Sequence, residues 1–130
     1  MLQPMQGFLV VFLGGGLGAA LRHGVNRFAL THSPDYPWGT LCINVLGCLL
    51  MGLAAGWFTF RGEQGGQMLR LFLTTGILGG FTTFSAFSLD AALLWQRGNL
   101  SGMAIYIVGS VVLSLIAVVA GLALSRSLFA

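Results

Sequence analysis

Charge is what this sequence has least of. Asp and Glu together number three (Asp35, Glu63, Asp90), the basic residues are six arginines, and there is no lysine. Charged residues make up 7% of the chain, where a soluble domain carries about 25%. So few charges cannot cover a water-facing surface, which excludes an ordinary soluble domain and places the chain in a lipid bilayer. With no basic cluster there is no nucleic-acid footprint. Proline is also scarce, at three residues, and two of these, Pro34 and Pro37, fall between apolar runs. Cysteine occurs twice. Cys42 and Cys48 are six residues apart, so on a helix they point in different directions about 9 Å apart along the axis, which excludes a bridge between them. Both read as small buried apolar residues. The N-terminus lacks a basic region and a small-residue cleavage site, so no removable signal peptide is expected. P-loop, GxSxG and HExxH motifs are absent, and the histidines His23 and His32 accompany no nucleophile. Nothing here reads as an enzyme.

What is present is apolar and rich in glycine. Hydrophobic residues make up 56% of the 130 and glycine 20 of them, about twice the usual ~7%. Small residues let helices approach closely in lipid, so this composition predicts a packed bundle. A spanning helix needs about 20 largely apolar residues. Four uncharged stretches qualify, at 1–21, 38–60, 71–89 and 98–125, each bounded by Arg or Asp. The expected fold is an all-α membrane protein, one four-helix domain with helices at about 4–29, 38–60, 66–96 and 100–127. The loops between them are short and carry turn residues.

Four spans put both termini on one side. That side, with the second loop, holds Arg61, Arg70 and Arg126; the other holds Arg22, Arg27 and Arg97. Orientation normally follows a Lys/Arg bias, and here the count is even. Either charge placement within single loops sets the orientation, or the chain inserts both ways and pairs antiparallel.

The third stretch carries GGFTTFSAFS at residues 79–88. Adjacent Gly79 and Gly80 followed by β-branched Thr82 and Thr83 favour an interruption of the helix. Released carbonyls at membrane depth must be enclosed by protein or line a site, and as hard oxygen ligands they suit a cation such as Na⁺. The plainer alternative is that Gly76 and Gly80 form a small-xxx-small packing face. Phe84 and Phe87 share a helix face, either as packing or as ring edges offered to an anion. Asn44 lies inside the second stretch, where its amide needs partners; it serves either as glue between helices or as a donor to a permeating anion. Tyr106, Ser110 and Ser114 form one hydroxyl stripe at i, i+4, i+8. Arg22 either snorkels to the interface or gathers anions at a pore mouth. No ionisable residue is expected deep in a span, which argues against proton coupling. A small multidrug exporter would need a Glu in the first span, and residues 1–21 hold none. A non-transporting bundle within a larger complex is the other competitor.

Three blocks in order carry a resemblance. GGGLGAALRH at 14–23, WGTLCINVLGCLLMG at 38–52 and TTGILGGFTTFSAFSLD at 74–90 resemble the blocks of the Fluc/CrcB family of bacterial fluoride channels. The departures are His23 for an aromatic residue, Ala86 for Thr and Asp90 for Glu. The resemblance implies a dual-topology antiparallel homodimer in the bacterial inner membrane, needing no other protein partner. It implies two fluoride pathways and a third helix broken mid-membrane, with a structural sodium ion held by the backbone carbonyls of Gly79 and Thr82 from both subunits. By the same resemblance Asn44, Phe84, Phe87, Tyr106, Ser110 and Ser114 line the fluoride path and Arg22 sits in an aqueous vestibule.

Overall fold

The computed structural model describes residues 4–61 and 66–130. Helices α1 (Pro4–His32) and α2 (Trp38–Arg61) are joined by a tight turn. The third segment starts as α3 (Gly66–Arg70), widens into a π-helix over Leu71–Leu78, and closes with the short α4 (Gly79–Phe81). After Thr82 and Thr83 it resumes as α5 (Phe84–Gln96), and α6 (Leu100–Phe129) completes the chain. Four stretches are long and apolar enough to cross a membrane: Pro4–His32, Trp38–Arg61, Gly66–Gln96 and Leu100–Phe129.

The boundaries follow local chemistry. α1 runs past the expected residue 29 to His32 and stops because Pro34 disfavours a helical Ser33. Arg22 and Arg27 lie within this helix, as its expected bounds place them. α5 ends in a Schellman arrangement: Gly98 takes a φ of 78°, its N–H bonds to Trp95 O, and the Asn99 N–H bonds to Leu94 O. Asn99 then caps α6, its side-chain oxygen accepting from the Gly102 N–H at 2.9 Å. The first and third turns meet at one end of the bundle. Tyr36 Oη donates to Gly102 O at 2.9 Å, and Arg97 donates to Asp35 O. Burial pushes the Tyr36 phenol above its ordinary value.

Two helix pairs organise the bundle. α2 packs along α6, while α1 packs along the π-helix and α4. Small residues sit at both crossings. A Cβ on Gly14 would lie 2.9 Å from Gly76 Cα, and one on Gly80 would lie 2.9 Å from Gly15 Cα. On the other pair, a Cβ on Gly121 would lie 2.9 Å from Gly52 Cα, and one on Gly56 would lie 2.6 Å from Ser125 Oγ. The Ser125 hydroxyl donates to Leu53 O at 2.7 Å, fastening this crossing with a hydrogen bond. The outward faces are apolar: Phe8 and Phe12 on α1 and Ile105, Val108 and Ile116 on α6 are all exposed, as lipid contact requires.

At the glycine pair the backbone is still helical. Gly79 stays helical at φ −63°, ψ −38°, and Gly80 packs on α1. The helix leaves off one step later, where Thr82 (φ −83°, ψ 155°) and Thr83 (φ −153°, ψ 125°) are extended. Of the two cysteines expected to be buried, Cys48 is half-buried but Cys42 is exposed. Six residues of helix turn the pair to different faces, and only one of these faces inward.

One matched pair tests the crossings. Gly121→Val drives a side chain into the α2 backbone and should destabilise the fold by about 3 kcal/mol or more. Gly109→Ala on the same helix meets nothing within 4 Å and should be neutral or stabilising by up to ~1 kcal/mol. Thermal unfolding in detergent of both variants checks this.

Candidate functional site

The interruption at Thr82–Thr83 is held by side chains from elsewhere in the chain. Thr82 N–H and Thr82 Oγ1 both donate to Leu78 O at 3.0 Å and close off α4. Thr83 starts α5, its Oγ1 accepting from the Ala86 N–H at 3.2 Å. Between these, Asn44 of α2 bonds the Thr83 backbone twice: its Nδ2 donates to Thr83 O at 3.0 Å, and its Oδ1 accepts from the Thr83 N–H at 2.9 Å. Gly47, one turn further along α2, leaves the space into which the Thr82 methyl packs.

This bonding determines which carbonyls lose their helical partners. In a continuous α-helix Thr83 N–H would bond to Gly79 O, and Ala86 N–H to Thr82 O. The first donor now goes to Asn44 and the second to Thr83 Oγ1. Gly79 O and Thr82 O are thereby released. Gly80 O, which would receive the Phe84 N–H, is taken by Arg22 Nε at 3.2 Å. Among the described residues no three His, Cys, Asp or Glu cluster to hold a metal ion. Two of the released carbonyls are the pair named from the sequence, and carbonyl oxygens are a donor chemistry that fits a hard cation.

Beside the interruption runs an open groove of about 240 Å³ lined by Asn44, Cys48, Thr82, Thr83, Phe84, Phe87, Ser110, Val111 and Ser114. Six of the site residues expected from the sequence therefore share one surface: Asn44, Thr82, Phe84, Phe87, Ser110 and Ser114. The lining holds no charged residue. The Asn44 amide has one N–H left after its bond to Thr83. Ser110 is 5% exposed and its hydroxyl has no partner. The Phe84 and Phe87 rings are 5.5 Å apart, and Phe84 is 78% exposed.

Tyr106 stands apart from its stripe. It is buried behind the groove, its ring 5.3 Å from that of Phe87 and edge-on to that of Tyr36 at 6.0 Å. Its hydroxyl donates to Asp90 Oδ2 at 3.1 Å. Asp90 lines a second recess of about 220 Å³ with Thr40, Asn26, Ser33 and Ala86, beside the first turn. Arg22 and Asp90, which bound the first and third uncharged stretches, lie within α1 and α5. Each is partnered, Arg22 with Gly80 O and Asp90 with Tyr106. The missed residues are Thr40, Cys48 and Asp90. Of these, Asp90 left a signal, as an acidic residue one turn after Phe87.

Residues 9–122 match the family described as "CrcB-like protein, Camphor Resistance (CrcB)". The chain belongs to this family. It is 56% identical over 123 residues to the "Fluoride-specific ion channel FluC" of Paracoccus denitrificans, an alignment covering 95% of this chain and 97% of that one. It is 54% identical over 122 residues to "Fluoride-specific ion channel FluC 2" of Nitrobacter hamburgensis, covering 93% and 98%. The FluC of Hyphomonas neptunium is 50% identical over 127 residues, covering 97% and 100%. Four apolar helices in a CrcB-family chain make this a multi-pass membrane protein.

The Asn44 clasp generates a graded prediction. Asn44→Leu strands the Thr83 N–H, at about 1–3 kcal/mol, and takes from Thr83 O the donor it has beyond its own helix. Asn44→Asp keeps an acceptor for the Thr83 N–H but offers no donor to Thr83 O, so its loss should be intermediate. Thermal unfolding of the two variants beside the parent reads the order.

Proposed function

We propose that the chain is a passive, fluoride-selective channel of the bacterial inner membrane that lets fluoride out of the cytoplasm and so limits its toxicity. The observation that carries this reading is the groove. It joins an uncommitted amide N–H on Asn44, a buried unpartnered hydroxyl on Ser110, a second hydroxyl on Ser114 and two phenyl rings, with no fixed charge in its wall. A buried polar group without a partner calls for a ligand or water. The family names printed for its relatives supply the ion.

Fluoride is small and strongly hydrated, so entry costs solvation. Donors from Asn44, Ser110 and Ser114 replace lost water, and the positive edges of Phe84 and Phe87 hold the ion weakly enough for it to leave. A fixed cation at this point would trap it. Tyr106 continues the polar line behind Phe87 by way of Asp90. Arg22 gathers anions at the aqueous vestibule and, through Nε, steadies the carbonyl of Gly80. Transport is uncoupled, because the charged residues beside the path among those described, Arg22 and Asp90, are each committed to a partner within the chain. A proton or sodium flux in fixed ratio to fluoride would contradict this.

The working unit is an antiparallel dual-topology homodimer with two pathways, and no other protein is needed. The even arginine count permits insertion both ways, and the exposure of Phe84 leaves a groove wall for a second copy to supply. The interruption of the third helix lies at mid-membrane depth. There Gly79 O and Thr82 O from both copies would hold a structural sodium ion, which supplies the positive charge that lets four carbonyl dipoles face one another.

Fluoride efflux from liposomes, read with a fluoride electrode beside a chloride electrode, tests the channel. Fast fluoride release with silent chloride is expected; no release from correctly folded protein overturns the reading. Phe84→Ile and Phe87→Ile should each abolish efflux while the dimer elutes unchanged. Replacing sodium by a large organic cation throughout purification should lower the thermal stability of the dimer, and an unchanged melting curve counts against the carbonyl site.

A further inference from the structure

Cys48 lines the groove but takes no part in the function proposed above. It follows Asn44 by one turn of α2, so the two side chains share a face. Across the groove stand Ser110, Val111 and Ser114 of α6. The Ser110 hydroxyl, buried and without a partner, marks this stretch as one that a ligand or water completes. Cys48 is half-buried and contributes the one thiol in the lining; the other thiol of the chain, Cys42, is exposed on a different face of the same helix.

We propose that Cys48 is a covalent modification site on the ion groove, and that capping its thiol with a small thiol-directed electrophile closes the path. The accessible thiol stands on the groove geometry alone; the closing of the path rests on the proposed function. Among the lining side chains only a thiol ionises to a good nucleophile without an adjacent base. With methyl methanethiosulfonate, the Cys48 thiolate attacks the sulfenyl sulfur of the reagent. A new S–S bond forms to the methylthio group, the reagent's own S–S bond breaks, and methanesulfinate leaves with the bonding pair. The thiol proton goes to water. The product replaces a weak S–H donor by a bulkier group that cannot donate, one turn from the uncommitted N–H of Asn44. An ion that must exchange water for donors loses both room and a polar contact there. Thiophilic cations such as Hg²⁺ are the other class of ligand this position would take.

The test uses the full chain in liposomes as parent, Cys42→Ser and Cys48→Ser, each treated with methyl methanethiosulfonate and read by fluoride efflux and by intact mass. The expected result is loss of efflux in the parent and in Cys42→Ser, with one methylthio adduct on the latter. Cys48→Ser should keep its own untreated rate while its Cys42 takes up the adduct. Recovery of efflux in Cys42→Ser on adding dithiothreitol would assign the loss to the mixed disulfide. Full modification of Cys48 with unchanged efflux overturns the closing of the path, and failure of Cys48 to react while Cys42 does overturns the site itself. Should the untreated parent release no fluoride, the function proposed above falls. The mass reading then decides on the thiol alone, with an adduct on Cys48 supporting the site and its absence removing it.

Discussion

The pair of hydrogen bonds between the Asn44 amide and the Thr83 backbone is the constraint on which the rest of this structure depends. In an apolar setting a chain can leave the helix only if every freed backbone group finds a partner. Asn44 presents a donor and an acceptor in the spacing of a peptide unit, so it stands in for the turn of helix that Thr83 lacks. Without it the Thr83 N–H would be left without a partner in an apolar setting. The same bonds fix which carbonyls are left over and hold the one remaining N–H of Asn44 at the groove. Structure and chemistry therefore hang on one side chain, 39 residues from its partner.

The interruption also explains how four apolar stretches form two helix pairs with different companions. Before it, the π-helix and α4 lie against α1 through glycines on both sides; after it, α5 leans on α6. A straight third helix could not serve both. The glycines allow the first contact by removing side chains from the crossing, and Gly47 allows the switch by making room for Thr82. Thr82 and Thr83 suit the turning point because each hydroxyl satisfies a backbone group next to it, Leu78 O in one case and Ala86 N–H in the other.

Much of this was legible in the sequence because lipid leaves few choices. Arginine and aspartate punctuate the apolar runs, so the spans stand out, and Ser33-Pro34 and Gly98-Asn99 mark turns by their own backbone preferences. A lone amide in an apolar run had to be bonded, which singled out Asn44, and both its oxygen and its nitrogen bond the Thr83 backbone. Long-range pairs were not legible. Arg22 meets Gly80 across 58 positions, and Tyr106 meets Asp90 only because the turn at 97–99 folds α6 back on α5. Helical spacing placed Tyr106 with Ser110 and Ser114, but spacing cannot tell that the bulky ring is held behind Phe87 while the small hydroxyls line the groove. The π-helix left no sign in the pattern of Leu71–Leu78, since its residues are ordinary apolar ones and the widening is a matter of backbone bonding alone.

A single chain leaves this site physically incomplete. Phe84 is more than three-quarters exposed and the groove has one open side, although its floor contains a buried hydroxyl without a partner. Lipid can cover phenyl rings, but it offers no hydrogen bond to Ser110 or to Asn44, and it cannot enclose the water that a hydrated ion brings. Protein must supply the missing wall. In the proposed dimer a second copy inserted the opposite way would do so without a new surface having to arise, and three arginines on each side leave no charge bias against either orientation. A two-fold axis through the interruption would also bring the released carbonyls of Gly79 and Thr82 towards their equivalents. Four such dipoles repel one another unless a cation lies between them. The proposed sodium ion and the proposed antiparallel pairing are thus one requirement: the backbone opening that shapes the groove leaves a negative surface, and only a shared positive charge lets two such surfaces meet.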